Sequence, residues 1–343
     1  MIDNKSNYFV PPVGLINLSR KDQKNFIKGN NSNLYNTCYI NSVIQCLFRL
    51  NEFIEKIMNF QRGKLVEATK NLINAMQNKF KYKFLSVSEI KEAMIEYDEK
   101  YYSINPEDAN EFITDYLDGL LEETRINQNI IKEIKINNIM DKNYFHFLDR
   151  FNKNGVSFIS DLFYGILKTE NKCRKCGNSI SIKYHPFNIL DLPLYNLIKN
   201  KENNTLEITD IITEFISEKE VLNIQCKSCN TNIISKTNFY RIPKYMILYF
   251  ERNYNNYIKN KINILETINF NYFLENNESK KTLYDIKGII YYSFLKDNKK
   301  HYSSSCQLEN SWYYFDDNRY INTKKFLQYE DEYPVLLFYE QKE

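Results

Sequence analysis

Two Cys-x-x-Cys pairs constrain this chain more than any other feature. Cys173 and Cys176 form one and Cys226 and Cys229 the other, with 49 residues between them. Each turn lets two thiolates face one ion. Two such turns close a tetrahedral four-thiolate shell, the usual geometry of structural zinc. Four protein ligands leave no position for water or substrate, so one structural ion is expected and no organic cofactor. Free or redox-active thiols are the other reading, but a redox pair normally opens a helix after a strand, which neither pair clearly does. A zinc ribbon that binds nucleic acid is a third reading, although such ribbons usually have shorter loops. The seven cysteines are an odd number, and in a reducing compartment their spacing suggests metal and not disulfides.

Around these knuckles the apolar pattern changes period. Ile40, Val43, Ile44, Leu47 and Phe48 fall at helical spacing in residues 38–49, as do Leu65, Ala68, Leu72, Ile73, Met76 and Phe80 in 64–80. Ser88 is placed to cap a helix reaching about Tyr97. Asn105-Pro106 opens another, with proline at its first helical position and Phe112, Tyr116, Leu117, Leu120 and Leu121 on its apolar face. All these stripes read as core packing. From about residue 156, short runs rich in Ile, Phe, Tyr, Val and Thr alternate with Asn, Lys and Gly. Strands are predicted over 161–169, 180–187, 233–241, 245–251, 286–295, 301–308 and 312–316. Helices first and strands later indicate an α+β fold. Segments 126–155 and 196–222 are weakly patterned and read as insertions or connectors.

Composition narrows the function. The 343 residues carry a net charge of +3, and the lysine pairs at 280–281 and 299–300 are too short to make a basic stripe, so nucleic acid is not the expected partner. The longest apolar runs, such as Tyr245 to Phe250, are too short to span a bilayer, and no secretory leader opens the sequence. A soluble intracellular chain is expected.

Cys38 begins the amphipathic run 38–49. The positive end of a helix stabilises a thiolate there, although a lone cysteine before an apolar run is more often a small buried hydrophobe. A cysteine hydrolase also needs a base. The chain has three histidines, His146, His185 and His301. His301 heads a β-like stretch, and a second runs from Trp312 to Asp316 after the polar, turn-like Glu309-Asn310-Ser311. A hairpin would bring Asp316 beside His301, where an acid orients the imidazole and stabilises its charged form. His146 and His185 have no acid so placed.

Together these residues resemble the ubiquitin-specific protease family, papain-like deubiquitinating cysteine peptidases. Asn33-Leu34-Tyr35-Asn36-Thr37-Cys38-Tyr39-Ile40-Asn41-Ser42 is similar to the family's NLGNTCYMNS, and Pro106-Glu107-Asp108-Ala109-Asn110-Glu111-Phe112 to QQDAxEF. The paired knuckles, the stretch from Ile242-Pro243 to Phe250-Glu251-Arg252, and His301-Tyr302 with Trp312 and Phe315-Asp316-Asp317 follow in the family's order, across roughly residues 30–340. The resemblance implies Cys38 as nucleophile, His301 as base and then acid, and Asp316 as third member, with Asp317 the neighbouring candidate. It implies that Asn33 helps hold the oxyanion, and that Asp108 and Glu111 contact the arginine-bearing tail of ubiquitin. One catalytic domain, 1–343, is expected: a helical thumb at 30–155, zinc-bearing β fingers at 156–242 and a β palm at 243–343. The implied substrates are ubiquitin conjugates in the cytoplasm or nucleus of a eukaryotic cell, and the implied state is a monomer.

Four departures touch this pattern. Tyr35 and Lys300 replace glycines beside the nucleophile and the histidine, Ser293 stands where a second histidine often lies, and Pro106-Glu107 replace paired glutamines. None deletes a member of the triad. A peptidase for another ubiquitin-like modifier and an inactive ubiquitin-binding scaffold are the alternatives.

Overall fold

The computed structural model describes residues 9–17, 36–78, 85–103, 107–126, 142–198, 205–254, 256–274, 281–294 and 300–342. They belong to two compact units, Met1–Thr124 with Ile286–Glu340, and Arg125–Asp285 with Gln341–Glu343.

The first unit begins with helices α1 (Cys38–Leu47), α2 (Asn51–Asn59), α3 (Lys64–Gln77), α4 (Ser88–Tyr97) and α5 (Ala109–Thr124). The periodicity of 38–49 suggested an amphipathic helix, yet every residue of α1 is buried. Its polar side chains therefore need internal partners. Gln45 donates to the Val13 carbonyl (2.7 Å), and Ser42 donates to the Tyr39 carbonyl (3.1 Å). Two predicted helix starts move. Ser88 is the first residue of α4, and its N–H donates to Ser86 Oγ, so Ser86 does the work expected of Ser88 (3.1 Å). α5 starts at Ala109, where Asp108 caps it. The Asp108 carboxylate accepts the Asn110 N–H (2.8 Å), and the Asp108 carbonyl accepts that of Phe112 (2.9 Å). Pro106, expected at the first turn, lies outside the described residues.

The second unit holds α6 (Lys142–Phe151), α7 (Phe158–Phe163), β1 (Gly165–Cys173), β2 (Ser179–Phe187), β3 (Ile189–Pro193), α8 (Ile208–Ile216), β4 (Lys219–Gln225), β5 (Asn232–Arg241) and β6 (Tyr245–Glu251). Four of the strands form a sheet in the order β2-β1-β5-β4, and β3 pairs parallel with β6. The strand predicted over 161–169 begins late. Ser157 caps a short helix by accepting the Ile159 N–H (3.0 Å), so the chain turns into β1 only at Gly165. The weakly patterned segments 126–155 and 196–222 contain α6, α8 and the start of β4. In α6, Tyr144, Phe147, Leu148 and Phe151 fall on one face, and they pack with Ile166, Tyr184 and Tyr240 in one apolar cluster.

The chain then supplies β7 (Leu283–Phe294), β8 (Lys300–Leu308), β9 (Ser311–Asp316), β10 (Arg319–Thr323) and β11 (Glu332–Gln341), ordered β10-β9-β8-β7-β11. The β8–β9 hairpin closes with Leu308 opposite Ser311, so Ser311 belongs to a strand and the turn is Glu309-Asn310. In the next turn Asp317 takes a left-handed φ of 52°, a conformation Asp accepts better than most residues. Gly288 pairs with Cys306 in the β7–β8 register, and a Cβ there would lie 2.8 Å from the sulfur of Cys46. Gly288→Ala should therefore destabilise the protein by about 1–3 kcal/mol through overpacking. The measurement is a lower urea midpoint at unchanged slope; an unchanged midpoint would show that α1 yields freely.

Candidate active site

Cys38 is the first residue of α1 and 2% exposed. The turn before it is held by residues 9–17. The Thr37 N–H donates to Asn17 Oδ1 (2.9 Å), and the Thr37 hydroxyl donates to the Ile16 carbonyl (2.9 Å). Asn36 takes a left-handed φ of 50° in the same turn.

The β8–β9 hairpin carries the partners. Ser304 stands opposite Phe315, which brings His301 and Asp316 to the same end of the hairpin. His301 Nε2 lies 2.7 Å from Asp316 Oδ1, and the ring is close enough to Cys38 for the sulfur's charge to act on it. With the Nε2 hydrogen given to Asp316, Nδ1 is the nitrogen left for the thiol. Burial by itself lowers the His301 pKa. The hydrogen bond to Asp316, the interaction with Cys38 and the nearby charge of Asp317 reverse this and hold it up at about 11. The same hydrogen bond lowers the Asp316 pKa, against the opposing effect of burial.

Asp317 has a different place. Its Oδ2 accepts from Asn17 Nδ2 (2.8 Å) and its Oδ1 from Asn41 Nδ2 (2.9 Å), while its carbonyl accepts the Leu15 N–H (3.0 Å). Burial raises its pKa, opposed by the His301 charge and by these two amides. Asp316 thus contacts the imidazole, and Asp317 ties the hairpin turn to α1 and to residues 9–17. Sequence reasoning missed Asn17 and Asn41. The signal available was an asparagine closing the short alternation Val13, Leu15 and another one turn after the nucleophile.

The other expected residues are distributed less simply. Asp108 Oδ2 accepts from the hydroxyl of Tyr302, the residue after His301 (3.3 Å). Glu111 is paired with Lys100 (2.7 Å), whose ammonium also meets Asp115 (2.5 Å) and Asp98 (3.6 Å). Burial lowers the Lys100 pKa, but Asp115 and then Glu111 outweigh it and raise it. Ser293 lies opposite His301 in the β7–β8 register. Asn33 and Tyr35 lie outside the described residues.

In the second unit the four knuckle cysteines converge, with all four sulfurs within 4.8 Å of one another. Cys173 Sγ is 3.2 Å from Cys229 Sγ, and Cys176 Sγ is 3.8 Å from Cys226 Sγ. A tetrahedral zinc with bonds of about 2.3 Å separates its sulfurs by roughly 3.8 Å, so the donor set and its spacing fit that ion. Each knuckle closes on a left-handed residue, Gly177 (φ 71°) and Asn230 (φ 52°). The amides of Lys175 and Cys176 point at the Cys173 sulfur (3.4 and 3.5 Å).

The model of the family described as ubiquitin carboxyl-terminal hydrolase matches residues 30–339. The chain belongs to the ubiquitin carboxyl-terminal hydrolase family. The matched stretch contains Cys38, His301, Asp316, Asp317 and both knuckles, and it begins after Asn17. Relatives in this family include ubiquitin carboxyl-terminal hydrolase Usp2 of Drosophila melanogaster, 28% identical over 64% of this chain and 24% of its own length. Ubiquitin carboxyl-terminal hydrolase 2 of Bos taurus is 25% identical over 90% of this chain and 54% of its own length. The chain thus spans about a quarter of the first and about half of the second. Among solved structures, the SAGA DUB module of Ubp8, Sgf11, Sus1 and Sgf73 bound to monoubiquitin matches with TM-score 0.71 and 17% identity, over 97% of this chain and 69% of that one. The module bound to ubiquitin aldehyde matches with TM-score 0.69 and 18% identity, over 98% and 71%. The likeness shows the fold, mixed helix and sheet, in agreement with the α+β expectation.

Proposed function

We propose that this chain is a thiol-dependent deubiquitinase that hydrolyses the isopeptide bond between the C-terminal glycine of ubiquitin and a lysine amine. The observation that carries this reading is the line Cys38–His301–Asp316 in a member of this family. His301 takes the Cys38 proton as the sulfur attacks the glycine carbonyl. The imidazolium then gives that proton to the departing lysine amine, leaving a thioester. Water, deprotonated by His301, cleaves the thioester and restores the thiol. Asp316 holds the ring in the tautomer this requires and stabilises its charged form.

The oxyanion would be met by the Cys38 backbone N–H and a side-chain amide. The motif offers Asn33, and Asn17 stands at the turn before Cys38, bridging the Thr37 N–H and Asp317. Asn17→Ala is expected to lower kcat by roughly 100-fold with KM within about twofold, the pattern of a group that acts mainly in the transition state. An unchanged Asn17→Ala together with a collapsed Asn33→Ala would assign the role to Asn33 alone.

Asp108 and Glu111 are the proposed contacts for the cationic ubiquitin tail, Glu111 by exchanging Lys100 for it. The knuckles are proposed to hold one structural zinc ion, which would fix the loops of the second unit and take no part in the chemistry. We read the regions as thumb 30–155, fingers 156–242 and palm 243–343 of one catalytic domain. We place the protein in the cytoplasm or nucleus of a eukaryotic cell, acting as a monomer without nucleic acid. Among the described residues no helix is long and apolar enough to cross a membrane.

The test is hydrolysis of a panel of linkage-defined di-ubiquitins. Cleavage by the wild type and none by Cys38→Ala supports the reading. Binding without turnover would make the chain a scaffold, and cleavage of only another modifier's conjugates would change its substrate.

A further inference from the structure

A second pair of thiols lies in the first unit, and the mechanism above makes no use of it. Cys46 sits in the last turn of α1 and Cys306 in β8, both fully buried, with their sulfurs 3.5 Å apart. α1 begins with Cys38, and β8 carries His301. The pair therefore joins the element of the nucleophile to the element of its base.

Arg49, also buried, lies beside them. Its guanidinium donates to the Val10 carbonyl, the Gln45 carbonyl (3.3 Å) and Gln45 Oε1 (3.1 Å), and it lies 5.7 Å from the centre of the Phe315 ring. Every one of those acceptors is neutral. A buried guanidinium cannot shed its charge at accessible pH, so it strongly favours an anion nearby. Among the described residues, the groups whose negative charge would favour it are Cys306, Cys46 and Tyr313, and none is a carboxylate. Tyr291 on β7 also feels the two sulfurs, and burial raises its phenol well above the ordinary range. A thiol loses its proton far more readily than a phenol. Burial raises Cys306, but the hydrogen bond from Cys46 and the charge of Arg49 lower it overall. Cys46 is raised, by burial first and then by Cys306. The two sulfurs thus divide one proton unequally.

We propose that Cys46 and Cys306 are a poised dithiol that serves as the counter-charge of Arg49, and that a small peroxide closes it to a cystine fastening α1 to β8. The Cys306 thiolate attacks one peroxide oxygen and the O–O bond breaks. The leaving hydroxide takes a proton from solvent, which gives Cys306 sulfenic acid and one water. The Cys46 sulfur then attacks the sulfenic sulfur, its proton leaves with the departing hydroxide as a second water, and the S–S bond forms. Sulfur is oxidised by two electrons and hydrogen peroxide is reduced. The cystine carries no charge, so Arg49 loses its counter-anion beside Phe315, the residue before Asp316.

The test uses the full chain as Cys38→Ala, so that the nucleophile cannot consume the oxidant. The protein is treated with hydrogen peroxide from pH 6 to 8.5, then unfolded and alkylated, and its peptides are mapped by mass spectrometry. The expected product is a Cys46–Cys306 cystine, formed at a rate linear in peroxide that changes by less than about threefold over that range, because thiolate is already present. Separate alkylation of Cys46 and Cys306 would overturn the proposal, as would a rate climbing about tenfold per pH unit, the behaviour of an ordinary thiol. Where Arg49→Met folds, judged by its fluorescence and melting transition, the steep dependence should return; a profile that stays flat would remove Arg49 from the explanation. None of these readouts depends on ubiquitin hydrolysis, so they succeed or fail apart from the proposed function.

Discussion

Replacing His301 with alanine is expected to lower kcat/KM by about 10⁴-fold, equivalent to about 5.4 kcal/mol of transition-state stabilisation. Among the described residues its ring is the imidazole that acts on Cys38, and in the proposed mechanism it transfers the proton in both half-reactions. Asp316→Asn should cost less, about 10²- to 10³-fold, because the imidazole remains but loses the partner of its charged form. The direction of the pH effect follows from the shifts. His301 is held up at about 11 chiefly by its hydrogen bond to Asp316, against burial. Removing that carboxylate lowers the proton affinity of the ring, so the alkaline limb of the kcat/KM profile should move to lower pH in Asp316→Asn. An alkaline limb that stays in place would show that Asp316 does not set the charge of the ring. The same shifts bear on stability. A raised His301 contributes stability that is complete below its unfolded value of about 6.5 and is lost as pH rises through about 11. The lowered Asp316 contributes stability that is present above its ordinary value and is lost as pH falls through its folded one.

Cys226→Ser is expected to abolish the proposed zinc binding and loosen the second unit. Cys226 follows β4, and its N–H donates to the Thr231 carbonyl just before β5 (2.9 Å), so as a ligand of the proposed zinc it would fasten the ends of two neighbouring strands to the ion. With metal bound to the native site and not to the open chain, its binding free energy becomes folding free energy. The purified wild type should carry one zinc per chain, and the variant little. Amide hydrogens of β1, β4 and β5 should lose exchange protection in the variant, or in the wild type after chelation, while those of α1 keep theirs. Full protection in a metal-free protein would mean that the four thiols hold the knuckles unaided.

Local pattern revealed the elements, and chain-distant contacts escaped it. The hairpin that unites His301 and Asp316 was legible because alternation and a polar turn fix register within 16 residues. The convergence of the four knuckle cysteines was legible because the spacing within each pair is itself the local geometry. Asn17 was not, since its partners Thr37 and Asp317 are 20 and 300 residues away, and no periodicity encodes that. The Cys46–Cys306 pair spans 260 residues and was hidden for the same reason. α6 was missed for a different one. Its aromatic face falls at helical spacing, but Asn and Lys dilute the segment, and only the second unit shows what the rings Tyr144 and Phe147 pack against. The ion pair between Glu111 and Lys100 depends on two elements meeting, so Glu111 read as a free carboxylate in sequence and is a paired one in the fold.

Ubiquitin ending in a propargyl group measures the central claim most directly, because its alkyne lies where the scissile carbonyl would be. The wild type is expected to form a covalent adduct about one ubiquitin heavier, with the modification mapped to Cys38 and absent in Cys38→Ala. No adduct with the wild type, or equal labelling of Cys38→Ala, would contradict Cys38 as a nucleophile that acts on ubiquitin.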